Sequence, residues 1–501
     1  MNRNSRAVAR IVSALVFLGL AQGALAASPS EAEYQANEVI VKYKSGVVRV
    51  RESMNLMYNA VGVSKVRRLK GVQGLMKGYE QLFIREDVKL QDALAELRRN
   101  PMVEYAQPNY ILRALPIQKV AQKAAKKPLE GGIPCIPGFD IPGCDPNATL
   151  PCLIPGIPFP PGCSDDGGGT PPPPGGGEPG NPPADRPAVQ DPPAEVVPPV
   201  ADPDLAKAYG IEKVGAPQVW ETHKGSKDFV VAVIDTGIDY NHEDLSFNVW
   251  RNPTPGAKND VVGYDFVHDD GLPFDDNQHG THCAGTVGAV GGNGKGVSGV
   301  AQRVSIMGLK FLSGEGSGTT ADAIRAIDYA IEHGARVLSN SWGGKGDDGN
   351  QALKDAIDRA KAKDVLFIAA AGNDGTDNDR PNPSYPAAFD NDNLISVAAT
   401  DKSDALAFFS NYGKRTTHLA APGVNVYSLS PGNRYAQLSG TSMACPHVAG
   451  AAALLWSKNP SWTYKQVKAA LLNSVDPLPA LANKTVTGGR LNILKALRSM
   501  E

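Results

Sequence analysis

Residues 116–201 cannot bury enough apolar surface to fold, being dominated by proline and glycine in runs such as TPPPPGGGEPGNPP. The stretch reads as an extended, semi-rigid spacer, so any core must form on either side of it. A chain of 501 residues, 42% hydrophobic and 20% charged, has ample material for two folded parts, a small one before the spacer and a large one after it. Four of the six cysteines sit in the spacer, in two similar units: IPCIPGFDIPGC with Cys135 and Cys144, and LPCLIPGIPFPPGC with Cys152 and Cys163. Local disulfides, Cys135 with Cys144 and Cys152 with Cys163, are expected after export, although four cysteines allow three connectivities. CxxC spacing and a nearby histidine, the marks of a metal site, are both missing there.

The N-terminus carries an export pattern. Arg3, Arg6 and Arg10 precede an apolar run over residues 11–20, and Ala24, Leu25 and Ala26 supply small residues for cleavage after Ala26, with Ala27 as the alternative. That run is too short to span a bilayer, as is every later one. The product is therefore expected to be secreted and extracellular, with periplasmic transit as an option and no membrane anchor. The formal net charge of −2 hides an asymmetry, because residues 37–127 hold 18 Lys and Arg against 8 Asp and Glu. A basic block can face nucleic acid. Here the remainder of the chain is acidic, and docking within the molecule is the simpler account.

The large part carries the chemistry. Val230, Val231, Ala232, Val233 and Ile234 run into Asp235, which reads as a buried parallel strand with a carboxylate at its C-terminal tip. His279 in DDNQHGTHCAG and Ser442 in LSGTSMACPHVAG each open a small, apolar run that reads as a buried helix, and Pro446 is expected to be tolerated near the start of the second. A further apolar strand over residues 365–370 leads into Ala371, Gly372 and Asn373. Acyl transfer by serine needs a hydroxyl, an imidazole to take its proton and a carboxylate to orient the imidazole. It also needs donors for the oxyanion, which a side-chain amide beside the serine N–H can supply. His282, three residues after His279, has no third ligand partner in the sequence and falls outside the HExxH pattern for zinc. Cys283 and Cys445 lie in the same two helices and read as inert buried thiols.

In the order Asp235, His279, Ser442, with Asn373 between, the chain resembles the subtilisin-like serine peptidases, closest to the thermitase-like branch. The resemblance implies an α/β fold, a subtilisin-like three-layer domain with a mainly parallel central sheet, preceded by a small α+β propeptide domain. NEVIVKYK and NPMVEYAQPNY resemble the inhibitory propeptide of that family, whose tail occupies the substrate cleft. The expected organisation is a signal peptide (1–26), an inhibitory and chaperone propeptide domain (27–115), the spacer (116–201) and the catalytic domain (202–501). Asn373 would be the oxyanion donor. The resemblance also implies a structural Ca²⁺, held by Asp202, Asp244, Asn293 and the carbonyls of Val290, Lys295 and Val297, an oxygen set that suits the ion. A second family site would fall on GYDFVHDDGLPF, where Asp265 and Asp270 remain but His268 and Leu272 replace oxygen-bearing ligands.

LSNSWGG resembles the family's substrate-pairing strand, with Ser341 and Gly343 offering main-chain hydrogen bonds; Trp342 between them stands where the family usually has a smaller apolar residue, and either narrows a neighbouring pocket or packs in the core. Ala371, Gly372 and Ser384 would line an uncharged primary pocket suited to bulky apolar side chains. The expected molecule is a monomeric serine endopeptidase made as a zymogen, acting on protein and peptide substrates and held by its own propeptide. Two rivals stand beside it: a silent binding protein on the same scaffold, opposed by the complete set of four residues, and a serine esterase, opposed by the missing GxSxG elbow.

Overall fold

The computed structural model describes residues 32–69, 78–118, 186–345 and 349–501, together with two short strands, Ile133–Pro134 and Cys144–Asp145. The export pattern and the side chains of the four spacer cysteines, and with them the expected disulfides, lie outside the described residues. Contacts divide the chain into two units. One comprises Met1–Gln118 with Asp185–Glu501, and the other is Lys119–Ala184, within which the two short strands pair in parallel.

In the first unit, strands Tyr34–Tyr43, Val63–Arg68, Tyr79–Ile84 and Val103–Ala114 form an antiparallel sheet. The helix Leu90–Arg99 buries Leu90, Ala93, Leu94 and Leu97, a stripe at three- and four-residue spacing. Those side chains close on Val39, Val41, Leu82 and Ile84 of the sheet, giving this region a core of its own. The helix Arg51–Ala60 and the strand Val63–Arg68 are harder to read from sequence, since the helix buries only Met54 and Met57 and the strand buries no residue fully.

The larger region is a nine-stranded, mainly parallel sheet. Within it the strand Gly225–Asp235, third from one edge, is flanked by Arg303–Lys310 on one side and by Val337–Asn340, Leu366–Ala370, Leu394–Thr400 and Leu419–Pro422 in turn on the other. Ala232 and Ile234 pack in one cluster with Ala323, Ile327, Ala356 and Ile357 of the helices Thr320–Glu332 and Gln351–Ala362. Period-two alternation turns Val231 and Val233 to the opposite face. The helix Thr441–Lys458 packs against the same strands and against the helix His279–Gly288. Parallel strands collect their chemistry at their C-terminal ends. Asp235 ends the strand Gly225–Asp235, Ser341 follows its neighbour, and Asn373 follows the next strand along.

Pro446 is the sixth residue of its helix, two residues deeper than the sequence reading placed it, because the helix starts at Thr441. A proline there leaves the carbonyl four residues back, that of Ser442, without its helical donor. The Ser341 hydroxyl donates to that oxygen at 2.9 Å and the Cys283 thiol at 3.5 Å.

The strand Val103–Ala114 continues past its own sheet. Its last residues lie between Ser317–Thr319 and Trp342–Gly343, with Gly318 opposite Leu112, and Trp342 and Gly343 opposite Ala114 and Arg113. Gln107 Oε1 accepts from Ala352 N–H at 2.8 Å, and Asn109 Oδ1 from Ala321 N–H at 3.0 Å. These are orphan donors at the first turns of the two helices on that face. The basic N-terminal region also pairs with the acidic remainder: Lys42 meets Asp355 at 2.9 Å, where Tyr79 and Tyr105 also donate, and Arg67 lies 4.0 Å from Asp322.

Candidate active site

Asp235 is buried at the strand tip, where its Oδ1 accepts from Thr236 N–H at 2.7 Å and faces His279 Nδ1 at 2.7 Å. That contact fixes the imidazole so that Nε2 is the free end, and Nε2 has no hydrogen-bond partner. Burial by itself lowers the pKa of His279, but the Asp235 carboxylate outweighs it, and the net shift is upward. The start of the His279 helix is held by Asp275, wholly buried, which accepts from the N–H groups of Asn277, Gln278 and Thr281 and from the hydroxyls of Thr236 and Thr281. Lys310, fully buried, ties Thr236 O, Leu312 O and Asp276 together. A lone carboxylate and a lone lysine carry no sequence pattern that marks such roles.

Ser442 is the second residue of its helix, and its Oγ donates to Ser341 O at 3.2 Å. Asn373 is oriented by the residue before the serine. Thr441 donates both its N–H (2.9 Å) and its hydroxyl (2.8 Å) to Asn373 Oδ1, so Nδ2 faces the cleft. There it donates to the carbonyl of Pro116 at 2.9 Å. Gly372 beside it takes φ +112°, and a Cβ would lie 2.3 Å from Asn411 Nδ2, so no other residue fits.

The end of the N-terminal region thus lies over these groups. Leu115 N–H donates to Ser341 O at 3.3 Å, and Gln118 N–H to Ser439 O at 2.8 Å. Leu115 lines a cavity with Gly343, Gly344 and Ser384, while Leu112 is buried in the cluster that holds Trp342. Trp342 is fully buried, donates from Nε1 to Ile234 O at 2.8 Å and packs edge-on to Phe311, while its backbone pairs with the tail at Ala114. Ala371 is buried in the loop before Asn373, its carbonyl accepting from Asn378 Nδ2 at 2.8 Å.

The other reactive side chains are occupied or inert. Cys283 lies with Asp235 and His279 in a group whose donor atoms fall within 4.8 Å of one another. It is a free thiol whose pKa burial drives well up, and burial takes Cys445, also free, to about 11. His282 spends Nε2 on the carbonyls of Val426 and Ala436, and burial pushes its pKa down to about 3. His242 is fully buried, with Nε2 on Arg434 O and Nδ1 accepting from Asp244 N–H.

The expected calcium ligands lie around one loop. Asp202 accepts from the N–H groups of Gly292 and Asn293, and Asp244 from Val297 N–H and Asn293 Nδ2, while Val290 N–H donates to Asp244 O. Lys295 points away, to Glu243. Both carboxylates are buried, and burial pushes Asp244 up to about 7. Two desolvated carboxylates without a basic side chain in contact fit a divalent cation. Asn293 presents its Nδ2 to Asp244, so serving as an oxygen ligand requires its amide to turn over. At the second family position the residues do not fit: the space between Asp265 and Asp270 is filled by the guanidinium of Arg186.

Comparison with known proteins decides the family. Residues 226–492 match the subtilase family model, and residues 21–109 match that of the fervidolysin N-terminal prodomain. This chain is a subtilase. Over 293 residues it is 41% identical to thermitase of Thermoactinomyces vulgaris, covering 58% of this chain and 96% of that protein. It is 40% identical over 270 residues to subtilisin DY of Bacillus licheniformis, 54% of this chain and 92% of the relative. A thermophilic serine proteinase of Bacillus sp. (strain AK1) matches at 42% over 250 residues, 50% and 57% of the two chains. The subtilase is therefore a serine endopeptidase with a prodomain. Among its described residues no helix is long and apolar enough to cross a membrane.

Proposed function

We propose that the subtilase is a secreted zymogen in which Ser442 attacks the peptide carbonyl, His279 takes and returns the proton, and Asp235 holds the imidazole and stabilises its charged form. Asn373 Nδ2, with the Ser442 N–H, receives the negative oxygen of the tetrahedral intermediate. One observation carries the reading: Asn373, oriented by the residue before Ser442, already donates to a peptide carbonyl of the chain's own tail, while Asp235 holds His279 with its Nε2 free. Attack requires Ser442 Oγ to turn from Ser341 O toward the unpaired His279 Nε2.

The tail supports the specificity reading. Leu112 and Leu115 are its buried side chains, whereas Arg113 points outward to Glu33. Gly343, Ala371, Gly372 and Ser384 carry no charge themselves, and the charged Lys345 and Asp374 of the same cavity pair with each other at 3.3 Å, which favours bulky apolar residues at the primary position. Calcium, when bound, supplies positive charge to Asp202 and Asp244 and ties the segment before the catalytic domain to the loop around Asn293. The zymogen acts as a monomer on protein and peptide substrates. Purified full chain should convert itself and then digest casein, while Ser442→Ala stays uncleaved under the same conditions. Conversion of that variant in the absence of other proteases would refute the assignment of the nucleophile.

A further inference from the structure

Asp265 ends a three-residue strand at the sheet edge, and its carboxylate is wholly buried. Such a group needs donors on every side. Its Oδ1 takes the N–H groups of Val267 (2.8 Å) and His268 (3.0 Å), and its Oδ2 meets His268 Nδ1 (2.8 Å) and Arg186 Nη1 (2.9 Å). The same Nη1 donates to Asp270 Oδ1 at 3.1 Å and to the Leu272 carbonyl at 2.9 Å, while Nη2 meets Asp270 Oδ2. The Arg186 side chain is only 9% exposed. One guanidinium thus serves two carboxylates and a carbonyl, and its charge is permanent.

From this anchor the chain runs on as a strap. Tyr240 OH donates to Pro187 O (2.6 Å), Asn241 Nδ2 to Ala188 O (2.8 Å) and Arg251 Nη2 to Gln190 O (2.8 Å). Gln190 N–H returns to Asn241 Oδ1, Arg303 meets Glu195 at 2.9 Å, and Val200 N–H reaches Gly292 O at 2.9 Å. Proteolysis needs a free, extended segment, and susceptibility follows the hydrogen bonding of the backbone concerned. We infer that residues 186–201 stay on the mature catalytic domain as an N-terminal strap, with Arg186 as a tethered cation for Asp265 and Asp270. Trimming of the proline-rich segment then stops before Arg186, well upstream of Asp202.

The inference is tested apart from the protease's own activity by digesting full-length Ser442→Ala with added thermolysin and reading the N-terminus of the resistant core by mass. The core should begin at or before Arg186; a core beginning between Pro187 and Asp202 overturns the inference. In the same background Arg186→Ala should move that limit downstream and lower the unfolding midpoint by at least about 5 °C. Arg186→Lys, which keeps the charge without the fork, should fall between. Combined with Asp270→Ala, Arg186→Ala should cost little beyond either single change. Losses that simply add would refute the pairing.

Discussion

At the scale of single residues, the site is built by fixing one end of each side chain and freeing the other. Asn373 Oδ1 is held twice by Thr441, so the donor Nδ2 is aimed before substrate arrives, and such preorganisation acts on the transition state. Asn373→Ala should therefore lower kcat about 10²- to 10³-fold with KM nearly unchanged. A rise in KM alone would make Asn373 a binding residue. Asp235 likewise holds His279 Nδ1 and leaves Nε2 free. The base works only when neutral, and Asp235 raises its pKa above 6.5. Activity should therefore fall as pH drops through a value above that of ordinary imidazole. Asp235→Asn should move this acid limb downward and reduce kcat by about 10⁴; a limb left in place in the variant would assign the titration to another group.

At the scale of elements, the tail strand Val103–Ala114 is both docking edge and cleft occupant. Its end is out of step with a productive substrate: Ser341 O takes the N–H of Leu115, while Asn373 holds the carbonyl of the next residue, Pro116, which has no N–H to offer. Pro116→Ala supplies that donor within one residue, and the first maturation cut, timed by gel and placed by N-terminal mass, should speed up. An unchanged rate would mean that the register is not what delays cleavage. Gln107 and Asn109 cap the helices Gln351–Ala362 and Thr320–Glu332 from the docked region. Replacing either with alanine should weaken docking by about 1 kcal/mol and hasten zymogen conversion. None of these pairings is visible locally, because each joins an unpatterned amide to a helix more than 200 residues away.

At the scale of the molecule, calcium should link the loop around Asn293 to the segment bearing Asp202. Chelation should lower the inactivation temperature of the mature enzyme, and Asp244→Asn should reproduce part of the loss; indifference to chelator would remove the ion from the account. What the sequence makes legible is whatever leaves a local period or run: the apolar strand ending at Asp235, the helices opened by His279 and Ser442, the stripe Leu90, Ala93, Leu94 and Leu97. The supports stay hidden. Thr441 on Asn373, Ser341 on the carbonyl freed by Pro446, and Arg186 between two aspartates depend on strand order and on contacts between distant segments. Trp342 shows the same limit, since one residue's alternation decides between pocket wall and core, and its ring belongs to the core. The central claim is that Ser442 is the nucleophile of an assembled triad. Labelling the mature enzyme with a serine-directed phosphonate, followed by peptide mapping, tests it most directly. A single adduct on Ser442 that disappears in His279→Ala is predicted; casein digestion without an adduct there, or with the adduct on another serine, would contradict the account.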